Sequence, residues 1–218
     1  MAVIQAVIFD MDGLLIHSEP LWQDAEISCF QELGVPITRE MCRQQAGRRL
    51  DEILIDWHQR FGWTGPSLAE MHQRILAEVS RRILAEGEAL PGAAQIVRQM
   101  HALGLKTAIA SSSPPQLIAT VVAKLGLDDC LDLTHSGVHE LRGKPDPAIF
   151  LTTARLLQVE PAQCLVFEDA PAGVAAAASA GMRVVAVPSV FDLDDPGFSV
   201  ADQVLQNLGD FRMELLTA

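Results

Sequence analysis

Two acidic residues two positions apart, Asp10 and Asp12, close a short apolar run and are followed at once by Gly13. Carboxylates on alternate positions at the end of a strand can face the same side, and the glycine permits the turn that leaves them there. Further along stand the serines Ser111, Ser112 and Ser113, then Lys144 between a glycine and a proline, and a second acidic pair, Glu168 and Asp169. If Asp10, Glu168 and Asp169 share one pocket, each raises the proton affinity of the others unless a cation neutralises them. Oxygen ligands beside a bound phosphate favour Mg2+. With magnesium and Lys144 offsetting the carboxylates and a phosphate dianion, such a pocket approaches the charge balance that phosphoryl transfer needs. Asp10 can then attack phosphorus as a carboxylate nucleophile. Asp12 is placed to protonate the leaving oxygen and later to deprotonate the attacking water.

The elements that must position these groups show in the hydrophobic pattern. Residues 3–9 are a β-branched, apolar run without alternation, as suits a strand buried on both faces of a parallel sheet, and 106–110, 164–167 and 183–187 read alike. Between them lie helical stretches at 92–103, which opens after Pro91 and ends at Gly104, at 147–157, which starts on a proline, and at 172–180, which stops at Gly181. Strand and helix in alternation predict an α/β chain with a doubly wound parallel sheet, whose ligands bind beyond the carboxyl ends of the strands. Asp10 and Asp12, Ser111, and Glu168 and Asp169 each follow a predicted strand. Residues 19–86 break the rhythm, with amphipathic helical patterns at 21–33, 50–61 and 68–84 and no strand. The expected organisation is a core of residues 1–18 and 87–218, with residues 19–86 inserted as a helical cap.

Composition narrows the partners. The 218 residues are 49% hydrophobic, enough to bury a full core. Sixteen Lys and Arg against 28 Asp and Glu make a field that repels nucleic-acid phosphates and anionic lipids. A small phosphorylated metabolite is the expected partner, with no nucleic acid and no membrane. Cys29, Cys42, Cys130 and Cys164 form no CxxC pair, and residues 1–9 lack the basic start of a secretory signal. The expectation is a reduced, cytoplasmic protein, and a monomer, since nothing demands a partner subunit.

Four segments in order then carry a resemblance. Asp10-Met11-Asp12-Gly13, Ile109-Ala110-Ser111-Ser112-Ser113, Lys144-Pro145-Asp146-Pro147 and Phe167-Glu168-Asp169-Ala170-Pro171-Ala172-Gly173 resemble the motifs of the haloacid dehalogenase superfamily. The resemblance implies a Rossmann-like core with a helical cap inserted after the first strand. It implies Asp10 as nucleophile, Asp12 as acid and base, and Ser111, Ser112 and Lys144 as holders of the phosphate. It further implies magnesium bound by Asp10, the Asp12 carbonyl and Asp169, with Glu168 acting on the metal through water. Ser18-Glu19-Pro20-Leu21-Trp22 and Trp63-Thr64-Gly65-Pro66-Ser67 look like bacterial sugar and hexitol phosphatases of the 2-deoxyglucose-6-phosphate phosphatase type. Gly47-Arg48 resembles the cap segment that reaches the substrate, which makes Arg48 a second anion contact. His17 departs from the pattern, standing where relatives commonly carry Asp at the hinge between core and cap.

Each assignment has a plainer competitor. Ser111 can cap the helix that follows it, and Glu168 and Asp169 can cap theirs. Lys144 can be a solvated lysine and Arg48 a surface ion pair. Trp57 and Trp63 suit the interior of the cap, whereas Trp22 is equally suited to stacking on a sugar. Among functions, a phospho-receiver domain lacks the acid and base that Asp12 supplies and has no place for the insert. A sugar-phosphate-binding protein without turnover and a hexose-phosphate mutase remain as alternatives, although Trp22 stands where such mutases place a His. A dehalogenase needs no Asp12 and Asp169 around a metal. A phosphonate hydrolase needs a cap lysine, and residues 17–86 contain none.

Overall fold

The computed structural model describes residues 3–216. Six strands form one sheet: β1 (Ala6–Phe9), β2 (Lys106–Ser111), β3 (Leu133–Ser136), β4 (Cys164–Glu168), β5 (Arg183–Ala186) and β6 (Gln203–Val204). Their spatial order is β3-β2-β1-β4-β5-β6, and every neighbouring pair is parallel. The helices of the crossovers are α5 (Ala93–Ala102), α6 (Pro115–Leu125), α7 (Ala148–Leu157) and α8 (Pro171–Ser179), and four more, α1 (Glu19–Gln31), α2 (Arg39–Arg43), α3 (Leu50–Phe61) and α4 (Leu68–Glu86), lie between β1 and α5. This is the doubly wound, Rossmann-like α/β architecture.

Alternation along the strands sorts the core into two layers. Val7, Phe9, Ile109, Leu165, Phe167 and Val185 point to one face, where α5 and α6 contribute Ile96, Val97, Leu117 and Val121. Ala6, Ile8, Ala108, Val166, Val184 and Ala186 point to the other, against Phe150 and Ala154 of α7 and Val174 and Ala177 of α8. Register decides where the strands stop. Phe9 lies opposite both Ile109 and Phe167, and its ring stacks on that of Phe167 at 5.2 Å. Parallel neighbours held in that register end at one level, so the residues just beyond Phe9, Ile109 and Phe167 meet along a single edge.

In the four-helix segment, Phe30 of α1 packs edge-on against Trp57 and Trp63 with ring centroids 5.2 Å from each. Helix α4 starts with a capping box in which Ser67 and Glu70 satisfy one another's backbone N–H groups. Two chain crossings tie the segment to the sheet: the His17 N–H donates to the Glu88 carbonyl at 2.8 Å, and that of Leu90 to Leu15 at 3.1 Å. His17 turns its side chain outward and acts here through its backbone.

Four elements lie outside the sequence-based expectation. Strand β3 reads Leu-Thr-His-Ser and β6 has two residues, each too short and too polar to show a period. Helix α2 has five residues, and α6 opens on Pro114 and Pro115, a pair that reads as loop until it occupies the first turn of a helix. Strand β1 begins at Ala6, three residues after the start of the apolar run. No helix among the described residues is long and apolar enough to cross a membrane.

Candidate active site

Asp10 stands one residue past β1 and is 4% exposed, its N–H donating to the Phe167 carbonyl at 3.0 Å. The ladder thus fixes its backbone. Lys144 enters from the loop before α7, and its Nζ donates to Asp10 Oδ1 at 2.5 Å, to Glu168 Oε1 at 2.5 Å and to the Ala110 carbonyl at 3.3 Å. Three acceptors satisfy the three donors of the ammonium, and the Phe150 ring lies 5.1 Å from it. Oε2 of Glu168 accepts the Asp169 and Ala170 N–H groups at 3.0 and 3.2 Å.

Two glycines allow this crowding. A Cβ on Gly173, in the first turn of α8, would fall 1.8 Å from Glu168 Oε1. Gly13 adopts a φ of +79°, which disfavours any side chain, and a Cβ there would fall 2.1 Å from Asp169 Oδ2. The same Oδ2 accepts the Ser189 hydroxyl at 2.6 Å.

Asp12 is held separately from the lysine. Its Oδ1 accepts Ser18 Oγ at 2.7 Å and Trp22 Nε1 at 2.9 Å, and its Oδ2 accepts Ser113 Oγ at 2.6 Å. Three side chains therefore converge on one half-buried carboxyl. Ser111 Oγ is 3.5 Å from the same oxygen.

Charge in the pocket is unbalanced. Ligand oxygens of Asp10, Glu168 and Asp169 lie within 4.8 Å of one another and all three residues are buried; among the described residues Lys144 is the one ammonium at the cluster, touching Asp10 and Glu168. Burial pushes Asp10 up to about 7, against the pull of Lys144 and with Glu168 adding to the rise. Burial, then Glu168 and Asp10, lift Asp169 well above the ordinary carboxylate range. Lys144 stays charged: burial works against its ammonium, and Asp10 and Glu168 outweigh it. Surplus buried negative charge on an all-oxygen donor set fits a hard divalent cation.

A cleft opens in front of these groups. Asp10, Asp12, Ser111, Ser112, Trp22 and Arg48 all line it, and Lys144 sits behind Asp10. Ser111 does not cap α6, whose N-cap is Pro114; its Oγ instead accepts the Ser113 N–H at 3.1 Å. Likewise Ala170, not Glu168 or Asp169, stands at the N-cap of α8. The Ser112 hydroxyl donates to the Gly47 carbonyl across the cleft at 2.8 Å. Arg48 faces the cleft and also pairs with Asp56 at 2.9 Å, so both readings of it hold in part. Trp57 and Trp63 are buried in their helical layer, whereas Trp22 lines the cleft with its indole N–H committed to Asp12.

Sequence reasoning did not single out Ser18, Ser113 or Ser189 as partners of the carboxylates. Ser18 and Ser113 lay inside quoted motifs, and only the three-dimensional turn aims them at Asp12. Ser189 follows β5 in a stretch with no motif at all.

Sheet and site together define an α/β enzyme with a carboxylate-rich cation site at its strand ends. The sequence pattern of the haloacid dehalogenase-like hydrolases matches residues 4–181, and the chain belongs to that family. It is 36% identical over 206 residues to hexitol phosphatase B of Escherichia coli strain K12, covering 94% of this chain and 93% of that one. It is 31% identical over 219 residues to beta-phosphoglucomutase of Bacillus subtilis strain 168, covering 98% of this chain and 94% of that one. The crystal structure of CbbY from Rhodobacter sphaeroides in complex with phosphate superposes with a TM-score of 0.86 at 24% identity, over 95% of this chain and 96% of that one, a likeness of fold.

Proposed function

We propose that the protein is a magnesium-dependent phosphomonoesterase acting on small phosphorylated sugars or sugar alcohols, with Asp10 forming an aspartyl-phosphate intermediate. The observation that carries the reading is the separation of the two motif carboxyls: Asp10 is bound by Lys144, whereas Asp12 is held by Ser18, Trp22 and Ser113. One carboxyl is thereby oriented beside a cation and the other is held apart from it, where it can exchange a proton with the leaving group. The relative named hexitol phosphatase B supports the substrate class.

In this reading Asp10 attacks phosphorus and the P–O bond to the alcohol breaks. Asp12 gives its proton to the departing oxygen, then takes one from the water that attacks the aspartyl-phosphate, which frees inorganic phosphate and restores Asp10. Ser111, Ser112 and Lys144 hold the phosphoryl oxygens, with Arg48 and Trp22 nearer the leaving group. Asp10, Asp169 and the Asp12 carbonyl would hold magnesium, with Glu168 behind them. When bound, magnesium supplies positive charge that lets the carboxylates and a phosphate dianion share the pocket.

Residues 19–86 act as a cap over a core of residues 1–18 and 87–218. Contacts between the two support closure: Arg49 Nη1 donates to the Glu140 carbonyl at 2.7 Å, and the Gly143 N–H to Glu52 Oε1 at 2.7 Å. A closed cap keeps water from the intermediate until the alcohol leaves. The four free cysteines suit a reduced, cytoplasmic compartment, and nothing in the site calls for a second subunit.

Phosphate release from purified protein across a panel of phosphomonoesters, with and without magnesium, tests the reading. Magnesium-dependent turnover is expected. A mutase would instead isomerise a hexose phosphate with little phosphate released, and a receiver domain would stop at one phosphoryl group per chain.

A further inference from the structure

The inward ridge of α4 is apolar, built from Met71, Ile75, Val79 and Ile83. The corresponding ridge of α1 is not. Glu19, Gln23 and Glu26 follow one another at helical spacing on one face of that helix, and they are 6%, 8% and 6% exposed. All three line the cleft beside Asp10 and Asp12. Among the described residues none of their polar atoms is both fully buried and without a partner, so those that bond to nothing reach the cleft, and a row of three on a face that could have been apolar needs a cause.

Their partners inside the protein are few. Among the described residues, no hydrogen bond reaches the Glu19 carboxyl. Gln23 Oε1 accepts one bond from Arg39 Nη1, at 3.3 Å, and its amide nitrogen has no acceptor. Glu26 is met by the Cys42 thiol. Burial, then Asp12 and Glu26, raise Glu19 well above the ordinary carboxylate range, and burial raises Glu26 to about 7.

We propose that Glu19, Gln23 and Glu26 form the leaving-group half of the site, selecting monoesters whose remainder is an uncharged polyhydroxylated chain or ring and rejecting substrates with a second phosphate. The proposal rests on the phosphomonoesterase reading above and adds to it the residues that choose the alcohol. A hydroxyl both donates and accepts, so it pairs with a carboxyl in either protonation state and with either end of an amide. A phosphate dianion has no such match. Ionised carboxylates repel it, and protonated ones offer one donor each with no compensating charge. The cations nearby are drawn on by other groups. Among the described residues Arg48 is the one Lys or Arg lining the cleft, and one edge of its guanidinium is shared with Gln45 and Asp56. Arg49 binds Asp51 and the Glu140 carbonyl. His72, also in the lining, is held toward its neutral form by burial.

The test compares kcat/KM for a hexitol 6-phosphate, a hexose 1,6-bisphosphate and p-nitrophenyl phosphate, in the wild type and in Glu19→Leu and Glu26→Leu. The wild type is expected to prefer the hexitol monoester over the bisphosphate by about 100-fold or more, as uncompensated charge of several kcal/mol implies. Each variant should lower the ratio of hexitol phosphate to p-nitrophenyl phosphate by about 10-fold, the size of one lost hydrogen bond to a polar group. A role in stability alone lowers both substrates together and leaves that ratio where it was. Equal use of monoester and bisphosphate by the wild type, or an unmoved ratio in both variants, overturns the proposal. A wild type inert toward p-nitrophenyl phosphate and every other ester overturns the phosphomonoesterase reading instead.

Discussion

Gly173→Ala separates local from tertiary energetics by sign. Gly173 lies in α8 with an ordinary helical backbone, and alanine there is the better helix former by about 0.5–1 kcal/mol. On propensity alone the substitution stabilises. The new Cβ would, however, fall 1.8 Å from Glu168 Oε1 and 2.0 Å from the carboxyl carbon. Glu168 has no room to yield: it is fully buried, bound by Lys144 through one oxygen and by two backbone N–H groups through the other. Relief requires either a shift of α8 off the sheet or loss of the Glu168–Lys144 contact. Breaking a buried pair costs about 3–5 kcal/mol, so the net loss after the helical gain is about 2–4 kcal/mol. For a chain of this length that lowers Tm by roughly 10 °C. Urea denaturation and calorimetry measure the loss, and phosphate release reports on the displaced Lys144. A variant as stable as the wild type, with kcat intact, would show that Glu168 can move freely and that the packing argument is wrong.

Other perturbations address the chemistry. Asp10→Asn should abolish turnover, and Asp12→Asn should retain substrate binding while slowing catalysis by roughly 100-fold or more; steady-state kinetics with near wild-type rates in either variant contradicts its role. Added magnesium should raise Tm more at pH 8 than at pH 5. Asp10 titrates at about 7 in the metal-free protein and must lose its proton to serve as a ligand, so equal shifts at the two pH values count against Asp10 as a ligand. Glu26→Gln should leave stability unchanged below about pH 4.5 and increase it as pH rises toward 7. The folded protein holds the Glu26 proton more tightly than the unfolded chain, so wild-type stability declines across that window, by up to about 3 kcal/mol. Urea titrations at pH 4.5 and pH 8 that show no widening gap contradict the burial of an ionisable carboxyl there.

Much of the molecule was legible before any coordinates. The apolar runs ending at Phe9, Ala110 and Phe167 are strands because chains buried on both faces of a parallel sheet need no polar alternation. Their polar successors mark a common edge because parallel strands in register end together. The four segments that resemble the family lie at that edge or in the loop that carries Lys144. Short or polar elements escaped: β3 and β6 have four and two residues, and periodicity needs a longer window.

Residue type and spacing determined which groups could do chemistry, since a strand pattern places Asp10, Ser111 and Glu168 on its own account. Tertiary structure alone decided how they pair. Lys144 joins Asp10 to Glu168, although 134 and 24 residues of chain separate it from them. Ser113, 101 residues away, binds Asp12. Such contacts depend on register and on packing distances, including the missing Cβ of Gly173, and neither is encoded in any local window. The polar ridge of α1 is the same lesson in reverse: helical spacing shows the face, and only the cleft in front of it shows that the face looks onto a site rather than onto water.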